Sequence, residues 1–226
     1  TGILCATRGT CSAGSRSIST SDSATEDTGS DAAAVALPAE RLRAVAEAFE
    51  IPGRWIASRR WGTGWINDTL LAEFDDGGRR TRWIQQRINA GVFRNPGQVM
   101  DNIARVTEHQ QRALARRGAA DAERRALRLV PARTGGFAYV DADGAWWRSF
   151  HFIEGASTRD AVGSAAEAGA AAEAFARFLA DLADLPGPRL HETIPHFHDA
   201  RARLGQLRAA AAADAHGRLG GCRREL

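Results

Sequence analysis

Apolar residues recur at helical spacing in four stretches of the chain, and each stretch has a start or stop signal. Pro38 opens the first, which an Ile-Pro-Gly triplet at 51–53 ends, and Asn95-Pro96 caps the second. The last two are rich in alanine and lie beyond residue 160. The spacing predicts helices over approximately Pro38 to Phe49, Asn95 to Arg117, Ala165 to Leu185, and Pro195 or Phe197 to Ala213.

Between these helices, apolar and polar residues alternate as in half-buried strands. Glycine-rich turns separate the strands, above all the Asp-Asp-Gly-Gly and Asp-Ala-Asp-Gly sequences at 75–78 and 141–144. Strands are predicted just before Trp61 and over Ile66–Phe74, Arg82–Ile88, Ala126–Ala132, Phe137–Val140 and Ala145–Ile153. Three strands, a helix, further strands and then helices indicate an α+β fold.

The candidate chemistry lies in the glycine loop that joins the first two strands, which consists of Gly62, Thr63 and Gly64. Without a Cβ, such a loop lets the backbone approach a bound group closely and offers N–H donors to an anion. Arg87, on the third strand, would then meet the same anion, as in the phosphate clamp of kinases. The alternative is a surface hairpin whose glycines serve only to turn the chain.

The alternation of side chains along the third strand identifies the cation of this clamp as Arg87. Because Ile84 and Ile88 are expected to face the core, Arg87 faces outward or into a cleft. Arg87 is preferred to Gln86 because phosphate needs a positive charge at close range. All 30 basic residues of the chain are arginine, so any phosphate-binding cation must be arginine.

Composition narrows the possible partners. The formal net charge is only +3 and the arginines are spread along the chain, so the sequence pI near 9.2 does not indicate a nucleic-acid partner. No apolar run reaches the length of about 20 residues that spans a bilayer. Cys5, Cys11 and Cys222 have neither metal-ligand nor disulfide spacing, which favours a reducing, cytoplasmic location.

The first 36 residues are rich in Ser, Thr, Gly, Ala and Asp and are predicted to be disordered. A transit-like segment, a tag or a mis-assigned start are alternatives for this stretch. The remainder divides into a strand-rich part, residues 37–154, and a helical part, residues 155–226.

Four segments, in this order, resemble the N-terminal part of the aminoglycoside phosphotransferase and choline kinase-like superfamily. They are GTGWINDTLL from Gly62, WIQQRINAGVFRNPGQVMDNIARV from Trp83, WWRSFHFIEG from Trp146, and ETIPHFHDARARL from Glu192. The similarity runs from about Ala39 to Leu226 and is closest to the N-acetylhexosamine 1-kinases. Those enzymes phosphorylate the anomeric hydroxyl of N-acetylated hexosamines.

The resemblance implies a protein-kinase-like N-lobe, an antiparallel sheet with a helix, followed by the first helices of a truncated helical C-lobe. It implies ATP and Mg²⁺ as cofactors and a small-molecule acceptor: an amino sugar, an aminoglycoside or a choline-like alcohol.

Asn67 and Asp68 follow the loop as a signature of the family and would order it; the alternative is that they are turn residues. Glu108 would pair with Arg87, although a helical glutamate is more often a solvated surface charge. Phe152 and Glu154 would flank the adenine ring at the hinge.

A kinase of this superfamily also needs a His-x-Asp-x-x-x-x-Asn loop and a later aspartate that binds Mg²⁺, and neither pattern occurs in the sequence. The chain alone is therefore expected to bind nucleotide weakly at most and to be inactive. His196, His198 and Asp199 could in principle form a metal site, but a role in shaping the helix that follows is preferred. The rival function is a non-catalytic interaction protein that docks a partner on apolar helix faces.

Overall fold

The structure is a computed structural model that describes residues 37–62, 64, 66–157 and 161–221. Within these residues it contains six strands in one antiparallel sheet and five α-helices, which confirms the predicted α+β class. The helices are α1 Ala39–Glu47, α2 Pro96–Arg116, α3 Ala122–Arg125, α4 Ala165–Asp181 and α5 Ala200–Ala213, with a short 3₁₀ turn at Leu219–Gly221. The strands are β1 Arg54–Arg60, β2 Asp68–Asp76, β3 Arg79–Arg87, β4 Leu129–Val130, β5 Tyr139–Val140 and β6 Trp146–His151.

The sheet has the order β1-β2-β3-β6-β4, and β5 pairs with β6 beside β4. The first three strands follow the chain as a meander, while β6 returns to pair with β3 after α2 and α3. The predicted Asp-Asp-Gly-Gly turn joins β2 to β3 at Gly77 and Gly78, both of which have positive φ. The glycine loop and the end of β6 therefore belong to one continuous sheet.

The main core lies between α1 and one face of this sheet, which we call the first face. Val45, Ala46 and Phe49 are fully buried against Phe74 and Trp147, together with other apolar residues of the sheet. Helix α1 is short and carries its apolar residues on one side, so most of its stability comes from this packing.

The predicted alternation of β3 is confirmed, but the face that carries Arg87 is not an outward or cleft face: it carries the core under α1. Trp83 and Gln85 are buried on this first face, whereas Ile84 lies half-buried on the opposite face, where Ile88 is buried as predicted. The cause is the cross-strand neighbours: Trp83 lies beside Ala72 and completes the core under α1, which the isoleucine pattern alone does not indicate.

Element boundaries differ from prediction where a local cap decides them. Helix α2 begins as predicted, because the Asn95 side chain accepts a hydrogen bond from the Gln98 amide at 3.1 Å. Helix α5 begins at Ala200, later than predicted, because Asp199 accepts from the Ala202 amide at 3.0 Å and fixes the start there. The stretch predicted as a strand over Ala126–Ala132 forms only the two-residue β4, and α3 just before it was not predicted.

One side of α2 holds the segment that follows α4. Asn102 makes two hydrogen bonds with the backbone of His191, at 2.8 and 2.9 Å, and Arg105 donates to the Pro188 carbonyl at 2.6 Å. His109 is buried and bonded to Asp184 at 2.8 Å. These contacts join the segment between α4 and α5 to α2. No helix within the described ranges is long and apolar enough to cross a membrane.

Candidate functional site

The face of the sheet opposite α1, which we call the second face, carries most of the residues singled out from the sequence. Its side chains form rows across β2, β3 and β6, because strand register places Leu71, Ile84 and Phe150 side by side. One row nearer the glycine loop lie Thr69, Gln86 and Arg148. In the other direction, Arg82 and Phe152 lie toward the end of β6.

The glycine loop is joined to the loop-side row by the backbone. The Trp61 amide donates to the Thr69 carbonyl at 2.9 Å, which places the start of the loop beside Thr69. Gly62 has φ +74° and open space where a Cβ would stand, and a Cβ on Gly64 would lie 3.9 Å from the Asn67 carbonyl oxygen. The loop conformation therefore suits glycine at residue 62. Thr63 lies outside the described residues.

Asn67 and Asp68 make contacts at the far end of this loop. The Asn67 side chain accepts from the Asn89 amide at 3.0 Å, while the Asn89 side chain donates to the Ile66 carbonyl at 3.0 Å. These two bonds tie the chain after the loop to the end of β3. Asp68 accepts from Arg87 Nε at 2.7 Å and also from its Nη2.

The expected Arg87–Glu108 pair is not formed among the described residues. Asp68 is the direct cross-strand neighbour of Arg87 on the first face, so it takes the guanidinium. Glu108 instead lies 3.6 Å from Arg112, one turn further along α2, and is half-exposed. Arg87 thus points to the face opposite Gln86 and away from Arg148, which makes it a poor partner for an anion on the second face.

An aromatic pair with a cation at each end lies on the second face near the end of β6. The rings of Trp61 and Phe152 meet edge to face, with centroids 5.6 Å apart. The guanidinium of Arg59 lies 4.9 Å from the Trp61 ring and that of Arg82 lies 4.5 Å from the Phe152 ring. The sequence analysis did not identify Trp61, Arg59 and Arg82 as site residues. Aligning the strands that carry the two arginines with the strand before Phe152 would have placed all three residues on one face.

Glu154 follows this aromatic pair and is held by two arginines. Its carboxylate pairs with Arg82, which raises the pKa of the Arg82 guanidinium through the hydrogen bond between them. Its carbonyl accepts from Arg124 Nη1. The Arg82 guanidinium, which lies over the Phe152 ring, is thus already paired with the Glu154 carboxylate.

The row nearest the loop is a hydrogen-bonded chain of polar side chains. Gln86 donates to Thr69 Oγ1 at 3.0 Å, and its Oε1 accepts from Arg148 Nε at 3.1 Å and from Nη2 at 2.9 Å. Arg148 is 8% exposed, and burial lowers its pKa to about 10. No carboxylate pairs with it within the described residues, and its Nη1 has no acceptor.

His151 lies at the end of β6, between the Trp83 ring and an arginine. The ring centroids of His151 and Trp83 are 4.5 Å apart, and Arg128 Nη2 lies 2.8 Å from His151 Nδ1. Burial, with a further contribution from the Arg128 charge, lowers the pKa of His151 to about 4; Glu123 opposes this effect. The imidazole therefore accepts the Arg128 hydrogen bond in its neutral form.

Folding stability is expected to fall as the pH drops from about 6.5 to about 4, because the unfolded chain then takes up a proton at His151 that the folded chain refuses. We expect the His151 contribution to reach about 1–2 kcal/mol, since solvent reaches part of the ring. Urea unfolding at pH 7 and pH 4.5 measures it. His151→Gln should reduce the pH dependence, and the exposed His216→Gln should leave it unchanged; equal slopes in all three proteins would contradict the assignment.

The described residues contain no group of three His, Cys, Asp or Glu side chains placed to hold a metal ion. His196 and Asp199 are instead 3.7 Å apart at the start of α5, where Asp199 caps the helix. A scan of the sequence against models of known protein families found no match. The arrangement itself offers two chemical functions on one face: aromatic rings that can stack on a base, and a buried guanidinium that can bind an anion.

Proposed function

We propose that this chain carries the nucleotide-binding lobe of an ATP-dependent phosphotransferase that acts on a hydroxyl group of a small molecule. The anomeric hydroxyl of an N-acetylhexosamine is the preferred acceptor, on the resemblance of the four segments described above. The observation that carries the proposal is the combination, on the second face, of the Trp61–Phe152 aromatic pair with the glycine loop that directly follows Trp61.

The spacing along the sheet supports a nucleotide. From the row of Arg82 to the row of Gln86 is four strand residues, roughly 13 Å at about 3.3 Å per residue. An extended nucleoside triphosphate spans a comparable length, with its base at one end and its phosphates at the other. In the proposed mode the base packs on Phe152 and on the Trp61 ring that reaches it. The phosphates lie toward Gly62 and the row of Gln86, which the Trp61 backbone adjoins.

The residues of this face fit ATP better than they fit the metal ion. ATP, when bound, would supply the γ-phosphoryl group, with ADP as the leaving group. Phe152 and Trp61 orient the base, and the backbone at Gly62 allows the phosphates to approach. For Mg²⁺, the described residues contain no group of three or more His, Cys, Asp or Glu side chains that could hold it without the phosphates.

Replacing Phe152 with alanine is expected to weaken ATP binding by roughly 10- to 100-fold, because stacking of a base on an aromatic ring is worth about 1–3 kcal/mol. Isothermal titration calorimetry of the purified chain with ATP measures the change, and circular dichroism confirms the fold of the variant. Trp61→Ala should have a similar effect, since the two rings form one surface.

Phe175→Ala is the matched control for this experiment. Phe175 is an exposed aromatic residue on α4, away from the sheet, so its loss should leave ATP affinity within about twofold. If wild type does not bind ATP, or if Phe152→Ala binds as tightly as Phe175→Ala, the proposed site is wrong.

One observation favours the rival function, a non-catalytic interaction protein. Helices α4 and α5 keep large apolar side chains between 44% and 65% exposed, namely Phe175, Leu179, Leu204 and Leu207. Exposed apolar residues in such number often mark a protein contact surface. An oligomer in light scattering that dissociates in Leu179→Glu, together with an absence of ATP binding, would favour this function over the first.

A further inference from the structure

Arg148 is the one feature of the second face that the fold itself leaves unexplained. Its guanidinium is buried in the middle of a sheet face and bonded to a neutral partner, Gln86. The Phe150 ring lies 5.3 Å from its Cζ and contributes a modest cation–π attraction. A buried charge without a counter-charge is unfavourable by several kcal/mol, so its retention calls for a reason.

The hydrogen bonds of Arg148 also leave part of its guanidinium without a partner. Nε and Nη2 both donate to Gln86 Oε1, which fixes the plane of the guanidinium, while Nη1 is buried without an acceptor. Unsatisfied buried donors are rare in folded proteins and recur at binding sites. Gln86 is in turn held by Thr69, whose carbonyl accepts from the amide of Trp61, the residue just before the glycine loop. The unpaired donors therefore belong to the row that adjoins the loop.

We infer that Arg148 binds an anion, a phosphate oxygen of the nucleotide, through Nη1, with Gln86 holding the guanidinium in place; this inference rests on the proposed function. Arg148 thus supplies the positive charge that the sequence assigns to Arg87. A phosphate oxygen accepts the Nη1 protons and neutralises the buried charge. Gln86 is a positioning residue, because it acts through the arginine.

Arg148→Met removes the charge and keeps most of the side-chain length. We expect its affinity for ATP to fall by roughly 10- to 100-fold, as for the loss of a hydrogen bond to a charged group, while its affinity for adenosine stays within about twofold of wild type. Calorimetric titration with ATP and with adenosine measures both. Arg112→Met, on the exposed side of α2, makes the same change in net charge and should bind both ligands as wild type does.

Thermal unfolding with inorganic tripolyphosphate separates this inference from the proposed function. The anion should raise the unfolding temperature of wild type and of Arg112→Met, and leave that of Arg148→Met unchanged. If tripolyphosphate acts through Arg148 but adenosine does not bind, the anion site stands and the nucleotide proposal fails. If ATP and adenosine bind wild type and Arg148→Met equally, the proposed function stands and Arg148 is not part of the site.

A second variant guards against loss of the fold. Arg148→Met/Gln86→Leu removes both hydrogen-bonding partners, which leaves no polar atom unpaired between them, and should unfold at or above the wild-type temperature without ligand. Its tripolyphosphate response should be absent. A double variant that unfolds well below wild type, or one that tripolyphosphate still stabilises, would show that Arg148 serves the fold and would overturn the inference.

Discussion

Asp141→Ala is expected to lower the free energy of unfolding by about 3–5 kcal/mol, because it removes the acceptor of a buried indole and of two backbone amides, and the buried one of the two carboxylates that pair with Arg41. Asp141 Oδ2 accepts from Arg41 Nη2 at 2.7 Å and from Trp147 Nε1 at 2.7 Å. Its Oδ1 accepts from the Asp143 and Ala145 amides, both at 3.0 Å. One carboxylate thus joins α1, the core tryptophan and the turn between β5 and β6.

Asp143→Ala is the matched control, since Asp143 stands in the same turn and also pairs with Arg41. The Asp143 side chain is 67% exposed and that of Asp141 is 6% exposed, so solvent screens the first pair and not the second. Urea unfolding should show a loss below about 1 kcal/mol for Asp143→Ala. Similar losses in the two variants would contradict the central role of Asp141.

The Asp141 interactions also make stability depend on acid. Burial by itself raises the pKa of Asp141, but hydrogen bonds from Trp147, Arg41 and the Ala145 amide outweigh it, and the pKa lies below its ordinary value. The stabilisation is therefore complete above the unfolded pKa of about 4 and is lost as the pH falls through the folded value. In Asp141→Ala this part of the acid dependence disappears.

The sequence predicts the order of strands and helices well, because turn and cap signals are local. Asn95-Pro96 opens α2 where predicted, and the Asp-Ala-Asp-Gly sequence forms the turn before β6. Such features depend on a few neighbouring residues and need no knowledge of distant packing.

The packing of both faces of β3 could not be predicted locally. The isoleucine pattern marks one face, where Ile88 is buried, but Trp83 is buried on the other, where its cross-strand partner Ala72 leaves room for it under α1. Packing of this kind is decided by residues more than ten positions away. Arg87 consequently lies on the α1 face, paired with Asp68, and Gln86, the alternative to it, lies on the face of the candidate site.

The aromatic pair and Arg148 were beyond sequence reasoning for a related reason. Trp61 and Phe152 are 91 positions apart, and only the return of β6 to β3 brings them together. Arg148 is one of 30 arginines and has no distinguishing local motif. Its significance comes from burial and from the absence of a carboxylate beside it in the described part of the chain, both of which are properties of the fold.

Gly53→Ala is expected to lower the free energy of unfolding by about 3 kcal/mol or more, from two separate effects. Gly53 precedes β1 with φ +90°, a region that a residue with a Cβ occupies at a cost of about 1–2 kcal/mol. A Cβ there would also lie 2.4 Å from the Asp75 carbonyl oxygen and 2.9 Å from the Asp76 Cα, both of which are backbone atoms of β2. This stretch of β2 also pairs with β3, so it cannot move away from residue 53 without disturbing that pairing.

Gly78→Ala separates the two effects, because Gly78 has nearly the same φ, +88°, and nothing within 4 Å of a Cβ. Its free energy of unfolding should fall only by the cost of the positive φ, about 1–2 kcal/mol in urea unfolding. The difference between the two variants then measures the contact of residue 53 with β2. A Gly53→Ala loss no larger than that of Gly78→Ala would mean that β1 can shift on β2 and that the glycine loop, which β1 enters, is not rigidly placed on the second face.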